Sequence, residues 1–586
     1  MKRNELFNQL MEESFNDGQI RPGFSGIGSF VGKREGDYSD DERVVLNHFF
    51  TNLNSNVYCA SDNIPSELWG LLVGQYARTH LSAKDRLIEL FNKIHEREPS
   101  APDIGSIADL LRGQKDISKS LTEHLAFAGR FIDEYGVDYG HASLRDSGTI
   151  RICFDGVSQR ATKFLESARE GAYQEKSTRA VGFGEETLAV PFELRDTEFE
   201  PRVVEFGKQL LSLYDRLREV VPPYLDKKYH HLLEESDKKV KDVLGNEASF
   251  PMAIWDSVLK EKAFDVARSL LPQFSTTSLA ITLNTRRFQD QLTEWQSSPF
   301  LEMRLLGRAA QIEAMKISPT LMKYGNSSDF YESLSEARRN LFKEFIPNSV
   351  IGSYYANSSI QSNLISHTPE IEELVLTSIL FNDSNGNLSF KEILEDVKKL
   401  SDSDKRKIAE SQFNGKRGYE LVPKVMEVGS FIFERFYDIG AFRDLQRQRG
   451  DRQQVSPYSV IGYHMPEEVA EVGLESEFEL AMLKTKQIYD DLIKRGEYVA
   501  AEYIPVMANL VRHVVTKDPV QCMYEAKLRS QSAGADSYRS IAIQEIEQVL
   551  DIMPAFRGLV EFDKGVYPLN RLPEKVDGFI RKKLRK

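Results

Sequence analysis

Three cysteines, Cys59, Cys153 and Cys522, stand far apart in a chain of 586 residues. Their spacing offers neither a disulfide framework nor a zinc site, and a reducing compartment is the simpler reading. Also missing is any run of roughly 18 apolar residues of the kind a membrane-crossing helix needs. The opening stretch MKRNELFNQLMEESF lacks the apolar core of a signal peptide. These absences predict a cytoplasmic protein with no membrane partner. A basic surplus is absent too: the formal net charge of -13 repels a nucleic-acid polymer, so an anionic ligand has to be received by a local cluster of basic groups. His230 and His231 sit beside acidic residues without the spaced partners of a metal site; they read as helix surface, and no metal is expected.

What is present is an ordinary globular balance, 41% hydrophobic and 28% charged, in a chain long enough for two large domains. Polar, Gly- and Asn-containing stretches between 383 and 418 mark a boundary between halves. The basic end RKKLRK reads as a solvated tail. A faint repeat spans the boundary: Val266–Pro272 aligns with Val499–Pro505, each closing a helical stretch at a proline. Upstream of each lies the same order of parts, a β-like run, a helical run and an arginine-rich turn: TIRICF, VSQRATKFLESAR and the turn to Arg179, then SFIFERF, DIGAFRDLQRQR and the turn to Ser459.

In the first copy Ile150, Ile152 and Phe154 alternate with Arg151 and Cys153, the period of a strand with one buried face. Val157, Ala161, Phe164, Leu165 and Ala168 then recur at helical spacing and place Arg169 at a helix C-terminus. The class predicted is α+β, helix-rich, with small sheets covered by helices. The loop from Arg169 to Arg179 packs Tyr173, Glu175, Lys176, Ser177, Thr178 and two guanidiniums into a short span. Such a set suits an oxyanion-rich ligand or the carbonyl edge of a uracil. A solvated loop with surface ion pairs is the competing reading.

This loop resembles the signature of flavin-dependent thymidylate synthases, an Arg-His-Arg followed at fixed spacing by Ser and a further Arg. Arg169 matches its third residue, and Tyr173, Glu175, Ser177 and Arg179 follow at the family's interval, while Ser167 and Ala168 replace the first Arg and the His. Gly140-His141-Ala142-Ser143 is similar to the family's flavin-contacting segment, Arg268 and Pro272 to its Ala-Arg-x-x-Leu-Pro helix, and Asn284 and Arg286 to its Asn-x-Arg. The second copy keeps Arg447 and Arg449 with Gln448 in place of His; Pro457 and Ser459 replace the later Ser and Arg, Ala501 the helix arginine, and Lys517 and Pro519 the Asn and Arg. Asn63–Trp69 and Tyr76–Arg78 are similar to long, double-length members.

The resemblance implies two tandem thymidylate-synthase-complementing-like domains: 1–110 an N-terminal helical segment packed on the first copy, 111–325 the first copy, 326–415 a helical linker region and 416–586 a second, degenerate copy. It implies substrate contacts at Arg169, Glu175, Ser177, Arg179 and Arg268, the catalytic set being Ser177, Arg179 and Arg268. It implies FAD contacts at His141, Ser143, Asn284, Arg286, Arg447, Gln448 and Arg449. The reaction implied is reductive methylation of dUMP to dTMP with methylenetetrahydrofolate and NADPH, in a homodimer that mimics the family's tetramer. Ser177 would bind rather than attack, because arginines around the uracil stabilise charge as C5 becomes nucleophilic. Gln448 can hydrogen-bond but cannot carry a histidine's charge, which keeps two alternatives open: a catalytically degenerate flavin- or nucleotide-binding scaffold, or C5 modification of another uridine nucleotide. Arg447 and Arg449 have a structural reading as well, as partners of Asp444 or Asp451.

Overall fold

A computed structural model describes residues 3–113, 128–131, 133–134, 146, 148–346 and 356–585. A short hairpin, β1 (Phe15–Asn16) and β2 (Gln19–Ile20), precedes two four-stranded antiparallel sheets. The first sheet joins β3 (Val57–Ala60), β4 (Thr149–Ser158), β5 (Ala172–Glu175) and β6 (Thr276–Asn284) in the order β3-β4-β6-β5. The second joins β7 (Gln361–His367), β8 (Phe431–Asp438), β9 (Arg452–Val455) and β10 (Leu510–Lys517) in the order β7-β8-β10-β9. Helices cover both, so the fold is α+β and helix-rich, as the sequence predicts, and the shared strand order is what a duplicated unit gives. β7 lies in the stretch read from the sequence as a helical linker.

The compact units do not run with the chain. One comprises Met1–Leu211, Pro272–Ile351 and Gln487–Ile504; the other comprises Ser212–Leu271, Gly352–Lys486 and Pro505–Lys586. Each sheet therefore keeps its own strands, while a helical segment that precedes β6 in sequence belongs to the second unit and one that precedes β10 belongs to the first.

Within the first unit β4 is buried on both faces from Ile152 onward. Cys153, read from the sequence as outward-facing, packs with Tyr58, Trp69, Leu72, Tyr76 and Ala280, because the helix Ser66–Tyr76 supplies apolar side chains to the second face. Trp69 Nε1 donates to Thr282 Oγ1 at 3.1 Å. A bulge between Phe154 and Val157 keeps the strand going to Ser158, so Val157 is strand and the helix runs Gln159–Leu165; Arg169 falls in the turn beyond it. In the second unit the β-like run is strand β8, alternating buried and half-buried up to Phe436, and Phe431, Phe433 and Val515 pack with Met523, Ile546 and Val549.

Candidate functional site

The two copies build the end of the central strand the same way. Ser158 caps the helix Gln159–Leu165 by accepting from the Ala161 amide, and Asp438 caps Ile439–Leu445 by accepting from that of Ala441; such a cap is worth about 1 kcal/mol. Gln159 N donates to Ser275 O and Arg160 N to Gln273 O, just as Ile439 N donates to Asn509 O and Gly440 N to Met507 O. These bonds set the counterparts: Arg160 with Gly440, Gln273 with Met507, Ser275 with Asn509. They also correct the repeat by one residue, because Pro272 O accepts from Ser275 N where Val506 O, not Pro505 O, accepts from Asn509 N. The counterpart of Arg268, the C-cap of Met252–Ala267, is thus Glu502, the C-cap of Tyr498–Ala501, rather than Ala501. Asn284 corresponds to Asp518, each a helix N-cap, rather than Lys517. Phe300 corresponds to Ala535, the N-caps of Leu301–Met315 and Asp536–Ile552, which sets Arg304 opposite Arg539 and Glu302 opposite Ser537.

In the first unit large side chains crowd the place beside the cap. Arg160 binds Glu502 at 2.6 Å with both side chains largely buried, and its guanidinium lies 4.2 Å from the Phe164 ring centroid and 5.3 Å from that of Phe300. Phe164 meets Phe300 at 4.8 Å, and Phe300 meets Tyr503 at 5.6 Å. Glu302 accepts from Ser158 N at 2.8 Å, Ser158 Oγ at 2.6 Å and Tyr503 OH at 3.1 Å. Burial pushes the Glu302 carboxyl up to about 7.

In the second unit the counterparts are small or short: Gly440 for Arg160, Ala535 for Phe300, Ser269 for Tyr503, Ser537 for Glu302 and Asp444 for Phe164. A cavity of about 710 Å³ opens there, lined among others by Arg268, Ser269, Asp438, Gly440, Ala535 and Ser537. Arg268 comes from the first half of the chain and lines it, 6% exposed. Its Nη2 is 3.5 Å from Asp444 Oδ2, while Arg447 Nη2 is 3.3 Å from Asp444 Oδ1. One carboxylate thus aligns two guanidiniums drawn from different halves of the sequence. A methyl group on Gly440 would lie 2.9 Å from Asp438 Oδ1 and 3.9 Å from Arg268 Cζ, so a side chain at 440 would crowd the carboxylate. Lys262, also in the lining, binds Glu468 at 2.8 Å and Asp536 at 3.0 Å.

The remaining residues read from the sequence divide between the units. In the first, Arg169 is exposed; Glu175 is buried and held by Lys163 at 3.2 Å. Ser177 Oγ accepts from Arg179 N at 3.3 Å, and Arg179 is buried. Asn284 Oδ1 accepts from Arg287 N at 2.8 Å, and Arg286 lies 3.4 Å from Asp146 on the surface. In the second unit Arg449 is exposed and Gln448 is buried. With its amide oxygen turned toward Arg529, Gln448 accepts from both Nη2 and Nε at 2.6 Å. Asp451, the sequence's other candidate partner for these arginines, is buried and accepts from Gln521 Nε2 at 2.9 Å. His141 and Ser143 lie outside the described residues. Asp438 and Gly440 carry no motif, and only the element-by-element comparison of the copies singles them out.

Gln448 turns its amide oxygen to Arg529 and Asn284 turns its own to a helix amide. The paired guanidiniums suit phosphate or a carbonyl edge. Among the described residues no cluster of metal-ligating side chains occurs, and no helix is long and apolar enough to cross a membrane.

Residues 78–320 match the family model of the thymidylate synthase complementing protein, which bears out the resemblance read from the sequence. The chain is 26% identical to a UPF0159 protein of Chlamydia muridarum over 562 residues, covering 92% of this chain and 98% of the relative. A UPF0159 protein of Chlamydia pneumoniae is also 26% identical, covering 93% and 99%. One from Thermoplasma acidophilum is 24% identical, covering 75% and 90%. Among solved structures, a UMP/dUMP methylase from Streptomyces cacaoi bound with 5-Br dUMP aligns at 13% identity with a TM-score of 0.29, covering 35% of this chain and 96% of that one.

Proposed function

With residues 78–320 taken as a thymidylate synthase complementing domain, we propose that the chain is a methyltransferase acting at C5 of a uridine nucleotide, dUMP in the first instance. The observation that carries this reading is the meeting of Arg268 and Arg447 on Asp444, with Arg268 itself lining the cavity of the second unit. An arriving phosphate or uracil carbonyl exchanges with Asp444 for guanidinium hydrogen bonds, which are charge-assisted and directional. Negative charge that develops on the uracil oxygens as C5 turns nucleophilic is then met by groups already in place, the source of most electrostatic catalysis. Arg169, Glu175, Ser177 and Arg179 are kept in this reading as further contacts of the nucleotide, as the resemblance implies.

The same proposal takes FAD as cofactor, NADPH and methylenetetrahydrofolate as cosubstrates, two chains per assembly and a cytoplasmic setting, all as the resemblance implies. The flavin supplies the reducing equivalents for methyl transfer, and no step at the described residues depends on it. Release of label from C5-tritiated dUMP, with NADPH and methylenetetrahydrofolate present, tests the chemistry. Dependence of that release on both cosubstrates is expected. Nucleotide binding without release would favour the scaffold reading, in which the side chains taken up by the fold, Gln448 above all, mark lost turnover. Release from UMP but not dUMP would favour another uridine nucleotide.

A further inference from the structure

Asp438 stands out in the second unit. Its Oδ1 accepts from the Ala441 amide at 2.8 Å, but Oδ2 is buried with no hydrogen-bond partner among the described residues. The residue is 9% exposed and lines the cavity. An unsatisfied buried carboxylate oxygen costs desolvation that a typical protein does not leave unmet. The first unit shows how the same place is met without a ligand: the cap is the neutral Ser158, and Glu302 reaches it from the helix above. In the second unit the carboxylate has moved to the cap itself, and Ser537, at the position of Glu302, lines the open cavity instead. Gly440 in place of Arg160 leaves this position without a side chain, and both Asp438 and the Arg268 guanidinium come within 4 Å of where one would start.

A hydrogen-bond acceptor next to a guanidinium recognises a ligand edge that presents an N–H beside a carbonyl oxygen. We propose that Asp438 Oδ2 accepts from the N3–H of the pyrimidine while Arg268 donates to the adjoining carbonyl, making Asp438 the residue that reads the imide edge of the base. This rests on the uridine-nucleotide reading above and adds to it the group that selects the base. Ser158 and Glu502 in the corresponding places of the first unit present no such pair, since Ser158 is satisfied by Glu302 and Glu502 by Arg160.

The test is titration of the full-length protein with dUMP and with N3-methyl-dUMP, for the wild type and Asp438→Asn. Asparagine caps a helix as well as aspartate, so its oxygen stays on Ala441 and an NH2 replaces Oδ2. The wild type is expected to prefer dUMP over the N3-methyl compound by about 10- to 100-fold, the worth of a buried hydrogen bond to a charged group. In Asp438→Asn that preference is expected to collapse to within about threefold, mainly through weaker dUMP binding, as a double-mutant cycle requires of a direct contact. Asp438→Ser, which installs the residue of the first unit, is expected to do the same and serves if the asparagine variant fails to fold. A preference for dUMP that persists unchanged in the variants overturns the assignment of Asp438 and leaves the nucleotide site intact. Equal wild-type binding of both compounds does likewise. A wild type that binds neither overturns the uridine reading together with it.

Discussion

Replacing Arg268 by glutamate is expected to weaken dUMP binding by about 100-fold or more, because it removes a charge-assisted hydrogen bond and adds a carboxylate facing the ligand's own charge. Charge reversal also costs stability, because Arg268 is buried beside Asp444 and the second unit has Gly440 where Arg160 pairs Glu502 in the first. Arg268→Lys should recover part of the affinity, since a point charge survives but the planar fork does not. Calorimetric titration alongside a thermal melt separates the cases: lost binding in a charge-reversed variant that still melts cooperatively, with partial binding in Arg268→Lys, is expected, and binding that survives charge reversal would mean the anion is received elsewhere.

The largest effect on stability is expected at the buried charge network of the second unit. Arg435 is fully buried and binds Glu545 at 2.6 Å and Glu525 at 2.7 Å. Lys517 binds Glu525 at 2.6 Å and Glu545 at 2.5 Å, and Ser362 Oγ donates to Glu545 at 2.7 Å. Glu545→Gln removes the charge shared by both cations and is expected to cost about 3–5 kcal/mol, the usual penalty for breaking a buried pair from one side. Asp451 differs: burial, with Glu525 adding to it, pushes its carboxyl up to about 8, so it is neutral in the fold and balances the network. Asp451→Asn keeps the bond from Gln521 and should cost little.

The pH dependence follows from these directions. An acid whose value in the fold lies above its unfolded value contributes stability below the unfolded value and loses it as pH rises through the folded one. Asp451 and Glu302, at about 8 and about 7, therefore make the protein less stable as pH climbs from roughly 4 to 8. Against the upward pull of burial, Arg435 and Lys517 hold Glu545 well below the ordinary carboxylate range. Its contribution is present above that range and is lost only on strong acidification. Melting temperature should fall between pH 5 and about 8, and Asp451→Asn should flatten part of that fall; a wild-type curve rising over this interval would contradict the assignment of neutral acids.

How much of this the sequence discloses depends on whether the information is local. The strands at Ile150–Phe154 and Phe431–Phe436, and the helices after them, follow from periodicity. The arginines of the signature can be found because a loop's chemistry is written in consecutive residues. The burial of Cys153 cannot be read there, because the helix that covers its face lies far upstream at Ser66–Tyr76. The repeat is offset by one residue because the turn before β10 is entered one residue later than the turn before β6, and a short match centred on prolines hides that slip. Gln448 is legible as a histidine's replacement, but its engagement with Arg529 is a tertiary fact. Asp438 reads from sequence as a helix cap and nothing more; its second role emerges only when Arg160, Phe300, Glu302 and Tyr503 are set against Gly440, Ala535, Ser537 and Ser269.

That comparison suggests the most direct measurement, calorimetric titration of the wild type and of Gly440→Arg with dUMP. Arginine at 440 reproduces Arg160 of the first unit and would place a side chain across the cavity, against Arg268. One nucleotide bound per chain in the wild type and none in Gly440→Arg, with the variant still folded, is the result expected. Undiminished binding in Gly440→Arg, or two equal nucleotides per wild-type chain, would contradict it.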